Sequence, residues 1–139
     1  GVEFWTEHRE ALARAEKEFG VPASMIVGII GVETRYGRNT GSYRVVDALA
    51  TLGFDFPRRA TFFLGQLEEY MLMVREQGFE PFSLKGSYAG AMGFGQFIPS
   101  SYRAYAVDFD LSLRKHLLNW IRPVSAVIVC SSLVRRQRP

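Results

Sequence analysis

A single carboxylate ends an apolar run near the start of the chain. Residues 26–32 carry no polar side chain, and Glu33 follows them directly. Pro22 suits the first turn of a helix and Gly37 suits a left-handed cap, so the spacing predicts a helix between them. Ile26, seven residues earlier, shares a helix face with Glu33. We therefore expect the Glu33 side chain to point toward the core.

A buried Glu33 could act as a general acid. Burial removes water from its carboxyl group, and the negative end of the helix dipole opposes a second negative charge, so both favour the protonated form. A carboxylic acid that keeps its proton near neutral pH can protonate a leaving group. Two other interpretations stay open. Glu33 is either a solvated surface residue, as most glutamates are, or one member of an ion pair.

The second unusual stretch, residues 82–105, combines glycines with aromatic residues. Its glycines and the aromatic residues between them are Gly86, Tyr88, Gly90, Gly93, Phe94, Gly95 and Phe97. No βαβ unit surrounds the stretch and no Gly-Lys-Ser/Thr ends it, which excludes a dinucleotide fingerprint and a P-loop. The pattern suits a wall where a ligand approaches the backbone closely and sugar faces stack. The alternative is a tight connection between packed helices.

An arginine pair follows a proline. Pro57 predicts the start of a helix that runs to about Gln77, with Gly78 as its stop. Arg58 and Arg59 lie in its first turn, where the helix dipole disfavours cations. They are either two surface arginines or a pair that meets an anionic group of a substrate.

Composition excludes several classes of function. A chain of 139 residues with 47% apolar and 22% charged residues is an ordinary globular domain. Cys130 is its only cysteine, which excludes an internal disulfide and a cysteine metal cluster. His8 and His116 are too far apart in the sequence to suggest a zinc site or a catalytic triad.

The basic charge is concentrated at the end of the chain. The net charge is +3, yet residues 1–110 hold 11 basic and 14 acidic residues, and residues 111–139 hold six basic residues and no acid. Because the body is mildly acidic, we expect no nucleic-acid partner. The apolar run 126–130 is far shorter than the roughly 20 residues that a membrane span needs. We expect residues 111–139 to be a solvated or disordered tail.

The remaining pattern predicts an all-α fold around one core. Amphipathic or apolar segments predict helices over 2–19, 45–52 and 100–107, besides the two described above. The residues expected on the inner face of the helix after Pro57 are Phe62, Phe63, Leu67, Tyr70, Met71 and Val74. No internal repeat and no series of strands is present.

Four motifs in unbroken order resemble the lytic murein transglycosylase B family. They are Val-Pro-Ala-Ser-Met-Ile-Val-Gly-Ile-Ile-Gly-Val-Glu-Thr-Arg-Tyr-Gly, Asp-Ala-Leu-Ala-Thr-Leu, Pro-Arg-Arg-Ala and Gly-Ser-Tyr-Ala-Gly-Ala-Met-Gly-Phe-Gly-Gln-Phe-Ile-Pro-Ser-Ser-Tyr. The resemblance covers about residues 2–110. It implies a mainly helical, lysozyme-like catalytic domain.

The resemblance also implies a reaction. The family cleaves the β-1,4 bond between N-acetylmuramic acid and N-acetylglucosamine in peptidoglycan and leaves a 1,6-anhydromuramyl end, without metal or organic cofactor. Its catalytic acid/base falls on Glu33. Its glycan-contacting residues fall on Ser87, Gln96 and Phe97, and its arginine pair, near the peptide stem, falls on Arg58 and Arg59. The implied setting is the periplasm of a Gram-negative bacterium, with or without attachment to the outer membrane, and the implied partner is the glycan strand.

The resemblance stops near residue 110. The sequence therefore predicts a partial catalytic domain over 1–110 and a non-family tail over 111–139. Asp108 and Asp110 resemble the start of a calcium-type loop, but its other ligands and its glycine are missing, so we expect no metal site. The abrupt change favours a frameshift in the second half. Any membrane attachment is expected to need sequence that precedes Gly1.

Three functions therefore remain open. Glu33 and the Gly-Gln-Phe motif favour an active transglycosylase. The missing C-terminal wall of the cleft favours an inactive, truncated remnant or a glycan-binding module, because catalysis needs closely placed groups. A hydrolase of the lysozyme type would need Asp47 or Asp55 to position a water molecule.

Overall fold

Residues 1–105 fold into short and medium helices with one very small sheet. A computed structural model describes residues 1–105, and Asp108, Asp110 and the tail 111–139 lie outside the described residues. The elements are α1 (Val2–Glu7), α2 (Arg9–Phe19), α3 (Ala23–Thr34), β1 (Tyr43–Arg44), α4 (Val45–Asp55), a 3-10 turn (Pro57–Arg59), α5 (Ala60–Gln77), β2 (Lys85–Gly86) and α6 (Pro99–Tyr105). The mainly helical architecture agrees with the fold class expected from the sequence.

Contacts divide these elements into two units. The first holds residues 1–39 and 93–95, and therefore contains α1 to α3. The second holds residues 40–92 and 96–104, and contains β1, α4, α5, β2 and most of α6. Within residues 1–105, no helix is both long enough and apolar enough to cross a membrane.

The first unit is built on α2 and α3. Its buried apolar side chains are Phe4, Leu12, Ala15, Val21, Ala23, Ile26, Val27 and Ile30. The single helix expected over 2–19 is wrong, because His8 has φ −110° and ψ 21° and separates α1 from α2. Phe4 is buried there while Trp5 is 38% exposed. Gly20 adopts φ 68° and caps α2, as its position after the helix predicted.

The second unit is built on α4 packed against α5. The helix predicted over 45–52 was expected to end before Gly53, but α4 continues through Gly53 to Asp55. A Cβ atom at Gly53 would lie 2.9 Å from Leu64 Cδ2, so this glycine allows two helices to approach. Its role is therefore packing and not termination.

The inner face of α5 differs from the expected one. It buries Phe63, Gln66, Tyr70, Met73 and Val74, whereas Phe62 and Met71 are 38% and 46% exposed. The buried positions follow a regular helical stripe in which a polar residue, Gln66, takes one place. Its Oε1 accepts a hydrogen bond from the Ser100 N–H at 3.1 Å, in the first turn of α6.

Two features hold the ends of the second unit together. β1 and β2 pair antiparallel, with Tyr43 opposite Gly86 and Arg44 opposite Lys85. Arg103 of α6 forms ion pairs with both Glu69 and Glu76 of α5, through separate guanidinium nitrogens. The hydrogen bond from Arg103, with its positive charge, lowers the pKa of Glu76.

Candidate functional site

The α3 helix presents Glu33 to solvent. The buried stripe of α3 consists of Ala23, Ile26, Val27, Ile30 and Thr34. Glu33 lies at the edge of this stripe in the last turn, and its side chain is exposed. The expectation that Glu33 points into the core is therefore wrong. The prediction failed because apolar residues also lie on the outer face of α3, where Val32 is 85% exposed.

The backbone directly after α3 is left-handed over three residues. Arg35, Tyr36 and Gly37 have φ values of 52°, 60° and 84°. Each left-handed residue with a side chain costs about 1 kcal/mol or more, so two of the three carry strain. Arg35 caps the helix, and its N–H donates to the Gly31 carbonyl at 3.0 Å. Gly37, expected to be the cap, lies two residues farther on.

The side chain of Thr34 holds this turn. Thr34 is completely buried, and its Oγ1 accepts a hydrogen bond from the Gly37 N–H at 3.0 Å. The same oxygen lies 3.0 Å from the Phe94 carbonyl and 3.2 Å from the Ile30 carbonyl, so its one hydrogen is shared between them. One hydroxyl therefore joins the end of α3, the left-handed turn and a segment 60 residues away.

Phe94 makes the second connection to the same turn. A Cβ atom at Gly37 would lie 2.0 Å from the Phe94 ring, so the ring occupies the space that a side chain at Gly37 would need. Gly93, Phe94 and Gly95 thus belong to the first unit by contact, although their neighbours in the chain belong to the second. Glycines on both sides of Phe94 are consistent with a close approach of backbones.

Ser87 lies in a tight turn of the second unit. Its N–H donates to the Ala91 carbonyl at 2.8 Å, and its Oγ accepts from the N–H groups of Ala89 and Ala91 at 3.3 and 3.1 Å. Because Oγ is the acceptor in both of these bonds, its hydrogen is left to donate outside the turn. Ser87 is half-buried, so a ligand can reach it.

Gln96 and Phe97 join the same small structure. Gln96 has a left-handed φ of 47°, and its Nε2 donates to the Thr40 carbonyl at 3.2 Å. Phe97 and Met92 exchange two backbone hydrogen bonds of 2.9 and 3.0 Å, and Met92 also bridges to Gly86. Backbone bridges through Met92 therefore connect Phe97 with Gly86, the residue that precedes Ser87.

The arginine pair lies on the 3-10 turn before α5. Arg58 and Arg59 are both exposed. The Arg59 guanidinium lies 4.5 Å from the centre of the Phe62 ring and 5.5 Å from that of Phe63, which supports the guanidinium through cation–π contact. Their exposure is compatible with both interpretations left open by the sequence, two surface arginines or a pair that meets an anionic group.

The structure assigns the predicted residues to different units. Ser87, Gln96 and Phe97 share one hydrogen-bonded region of the second unit, which also carries the arginine pair, while Glu33 belongs to the first unit. Thr34 was not predicted as a site residue, although a hydroxyl residue directly after a carboxylate at a helix end could have indicated it. Gln66, a polar residue in an apolar stripe, was not predicted either.

Asp47 and Asp55 are the two carboxylates of which a hydrolase of the lysozyme type would need one. Asp47 forms an ion pair with Arg44 three residues earlier, and Asp55 is exposed at the end of α4. Among residues 1–105, no three His, Cys, Asp or Glu side chains are grouped closely enough to hold a metal ion.

Comparison with known proteins identifies the family. The family model described as the transglycosylase SLT domain matches residues 1–126. The chain is 56% identical over 127 residues to membrane-bound lytic murein transglycosylase B of Escherichia coli K12. The chain belongs to the SLT transglycosylase family. That relative is matched over 91% of this chain and 34% of its own length, so the chain spans about a third of it.

Solved structures agree with the fold. The soluble lytic transglycosylase SltB1 of Pseudomonas aeruginosa is 57% identical, with a TM-score of 0.92 over 100% of this chain and 48% of that one. SltB3 of the same organism, solved in complex with NAG-anhNAM-pentapeptide, is 31% identical, with a TM-score of 0.85 over 95% of this chain and 34% of that one. The chain thus has the lysozyme-like fold of lytic transglycosylases, over part of their length.

Proposed function

We propose that this chain carries the acid/base residue of a peptidoglycan lytic transglycosylase, and that this residue is Glu33. The observation that carries the proposal is an exposed carboxylate at the end of a well-buried helix, held beside a strained and hydrogen-bonded turn, in a chain of this family. Strained backbone of this kind is common at functional sites.

In the proposed reaction Glu33 acts twice. It first protonates the glycosidic oxygen of the β-1,4 bond between N-acetylmuramic acid and N-acetylglucosamine, and the muramyl N-acetyl group stabilises the developing cation. The resulting carboxylate then removes the proton of the O6 hydroxyl, which closes the 1,6-anhydro ring.

The second unit would bind the substrate. Ser87 has a hydroxyl hydrogen to donate to a sugar oxygen, and the half-buried Phe97 is connected to the residue before Ser87 by backbone bridges through Met92. We place Gln96 on the same glycan-binding surface, with its side-chain position fixed by Thr40. Arg58 and Arg59 would pair with carboxylates of the peptide stem. SltB3 has been solved with a ligand of this kind, a glycan fragment that carries a pentapeptide.

The proposal includes a cellular setting. The E. coli relative is named as membrane-bound and as acting on murein, so we propose that this chain works in the periplasm of a Gram-negative bacterium. Glycan strands of peptidoglycan are its proposed partner. Because the family model matches through residue 126, the part of 111–139 that we propose to lie outside the catalytic unit is 127–139. The proposed reaction needs no cofactor.

The test is product analysis on purified peptidoglycan sacculi. We expect the wild-type chain to release soluble muropeptides with anhydro ends, which mass spectrometry identifies because each is lighter by one water than the product of hydrolysis. Glu33→Gln keeps the shape of the side chain and removes the acid, so release should fall by about 100-fold or more. Glu18→Gln is the matched control, since Glu18 is an exposed glutamate in the same unit.

Other products would identify other functions. Reducing ends would show a hydrolase of the lysozyme type. Because Asp47 is paired with Arg44, Asp55 would then be the candidate for positioning the water molecule. A folded wild-type chain that binds sacculi and releases nothing would show a glycan-binding module. Equal activity of Glu33→Gln and wild type would remove Glu33 from the mechanism.

A further inference from the structure

We propose that the hydroxyl group of Thr34 is a positioning group for Glu33. This inference deepens the proposed function and rests on it. Thr34 does not touch the substrate in this proposal. It fixes the last turn of α3, where Glu33 lies, by tying that turn to two other pieces of backbone.

Three hydrogen-bond partners fix the position and orientation of the Thr34 hydroxyl. The oxygen accepts from the Gly37 N–H at 3.0 Å, and its hydrogen lies between the carbonyls of Phe94 and Ile30 at 3.0 and 3.2 Å. The side chain has no exposed surface. A buried hydroxyl with three partners on three separate peptide groups is held rigidly, and it holds those groups in return.

The main chain of Thr34 adds a fourth bond. Its carbonyl accepts from the Asn39 N–H at 2.9 Å, so the loop after the left-handed turn returns to the same residue. Thr34 therefore binds the left-handed turn through the Gly37 N–H and the loop after it through the Asn39 N–H. These hydrogen bonds offset the strain of the left-handed residues next to Glu33.

The consequence for Glu33 follows from its place in the chain. Glu33 precedes Thr34 directly, is exposed, and lies in the last helical turn, which frays easily when its cap is lost. Without the Thr34 hydroxyl, the end of α3 would keep its backbone cap, the Asn39 N–H bond to the Thr34 carbonyl and the Phe94 ring against Gly37. It would lose the side-chain hydrogen bonds to the Gly37 N–H and the Phe94 carbonyl. A displacement of about 1 Å of a catalytic group can cost about 100-fold in rate.

The chain offers a matched pair of substitutions. Thr34→Val removes the hydroxyl and keeps the branched shape, while Thr34→Ser keeps the hydroxyl and removes a methyl group. If the hydroxyl positions Glu33, Thr34→Val should lower kcat by about 10- to 100-fold on soluble peptidoglycan strands with KM within about twofold of wild type. Thr34→Ser should keep most of kcat.

A general loss of stability must be separated from loss of position. Ile26→Val is the control, because Ile26 is completely buried on the same helix and has no part in these hydrogen bonds. All variants are assayed well below their melting temperatures, and kcat is divided by the folded fraction from circular dichroism. Hydrogen exchange of the Gly37 amide gives a readout that does not depend on activity. Its exchange should be faster in Thr34→Val than in wild type and in Ile26→Val.

Each outcome decides the proposal. Low kcat with unchanged KM and fast exchange at Gly37 in Thr34→Val alone supports it. Equal kcat in Thr34→Val and wild type overturns it and leaves the proposed function intact. An equal fall of kcat in Thr34→Val and Ile26→Val would show a structural role only. A wild-type chain that releases no product overturns the proposed function, and the positioning role with it.

Discussion

Tyr70 links the stability of the second unit to alkaline pH. Its side chain is completely buried in α5, and its hydroxyl donates to the Pro81 carbonyl at 2.6 Å. Burial raises the pKa of Tyr70 to about 12. In the unfolded chain a tyrosine titrates near pH 10, so between about pH 10 and 12 the folded state binds more protons than the unfolded state.

The sign and size of the effect follow from this difference. The contribution of Tyr70 is fully present below about pH 10 and is lost as the pH rises toward 12. A difference of about two pKa units corresponds to about 2–3 kcal/mol in the free energy of unfolding. Tyr70→Phe removes the titrating group and leaves the Pro81 carbonyl without this donor, which should cost about 1–3 kcal/mol at pH 8. We therefore expect the wild type and the variant to converge above pH 10.

Urea unfolding followed by circular dichroism, at several values between pH 8 and pH 12, measures this convergence. The quantity of interest is the difference in unfolding free energy between wild type and Tyr70→Phe, because the titration of every other group cancels in it. Tyr88→Phe is the control, since Tyr88 is 72% exposed and its difference should stay near zero throughout. A difference between wild type and Tyr70→Phe that stays constant from pH 8 to pH 12 would refute the reasoning.

Two glycine pairs give further predictions. Gly28→Ala should raise the free energy of unfolding by about 0.5–1 kcal/mol, because alanine favours a helix and nothing lies within 4 Å of the new Cβ atom. Gly31→Ala, one turn later, should lower it by about 1–2 kcal/mol, because its Cβ atom would lie 2.6 Å from the Tyr36 Oη. Equal gains in melting temperature for both would contradict this packing argument. Gly86→Ala would bring a Cβ atom within 2.2 Å of the Ala91 carbonyl oxygen that accepts from the Ser87 N–H, so we expect muropeptide release to fall about 10-fold or more. Gly65→Ala, with nothing within 4 Å, is its control and should release muropeptides as wild type does, and full activity of Gly86→Ala would show that the Ser87 turn is not needed.

Local chemistry made the ends of α2 and α5 predictable. Gly20 and Gly78 follow α2 and α5 and adopt φ values of 68° and 70°, as glycines after helical patterns commonly do. Pro57 lies at the start of the 3-10 turn that leads into α5, where its missing N–H costs nothing. Both rules need only neighbouring residues, so a sequence without structure suffices for them.

The face of a helix was harder to predict when the helix was apolar all round. In α3, Val32 is exposed although it belongs to the same apolar run as the buried Ile26. The burial expected for Glu33 failed for this reason. The predicted end of α4 before Gly53 was wrong for a different reason. A glycine that ends a helix and a glycine that lets a neighbouring helix pack closely cannot be distinguished by sequence alone.

The sequence by itself determined the family, the helical class, the caps of α2 and α5 and the residue types that chemistry needs. Each of these depends on short-range pattern or on motifs in a fixed order. Only the tertiary structure decided that Glu33 faces solvent, that the Thr34 hydroxyl meets the Phe94 carbonyl, and that Met92 joins Gly86 to Phe97. These contacts join residues far apart in the chain or depend on what covers a helix face. Local sequence patterns predict neither.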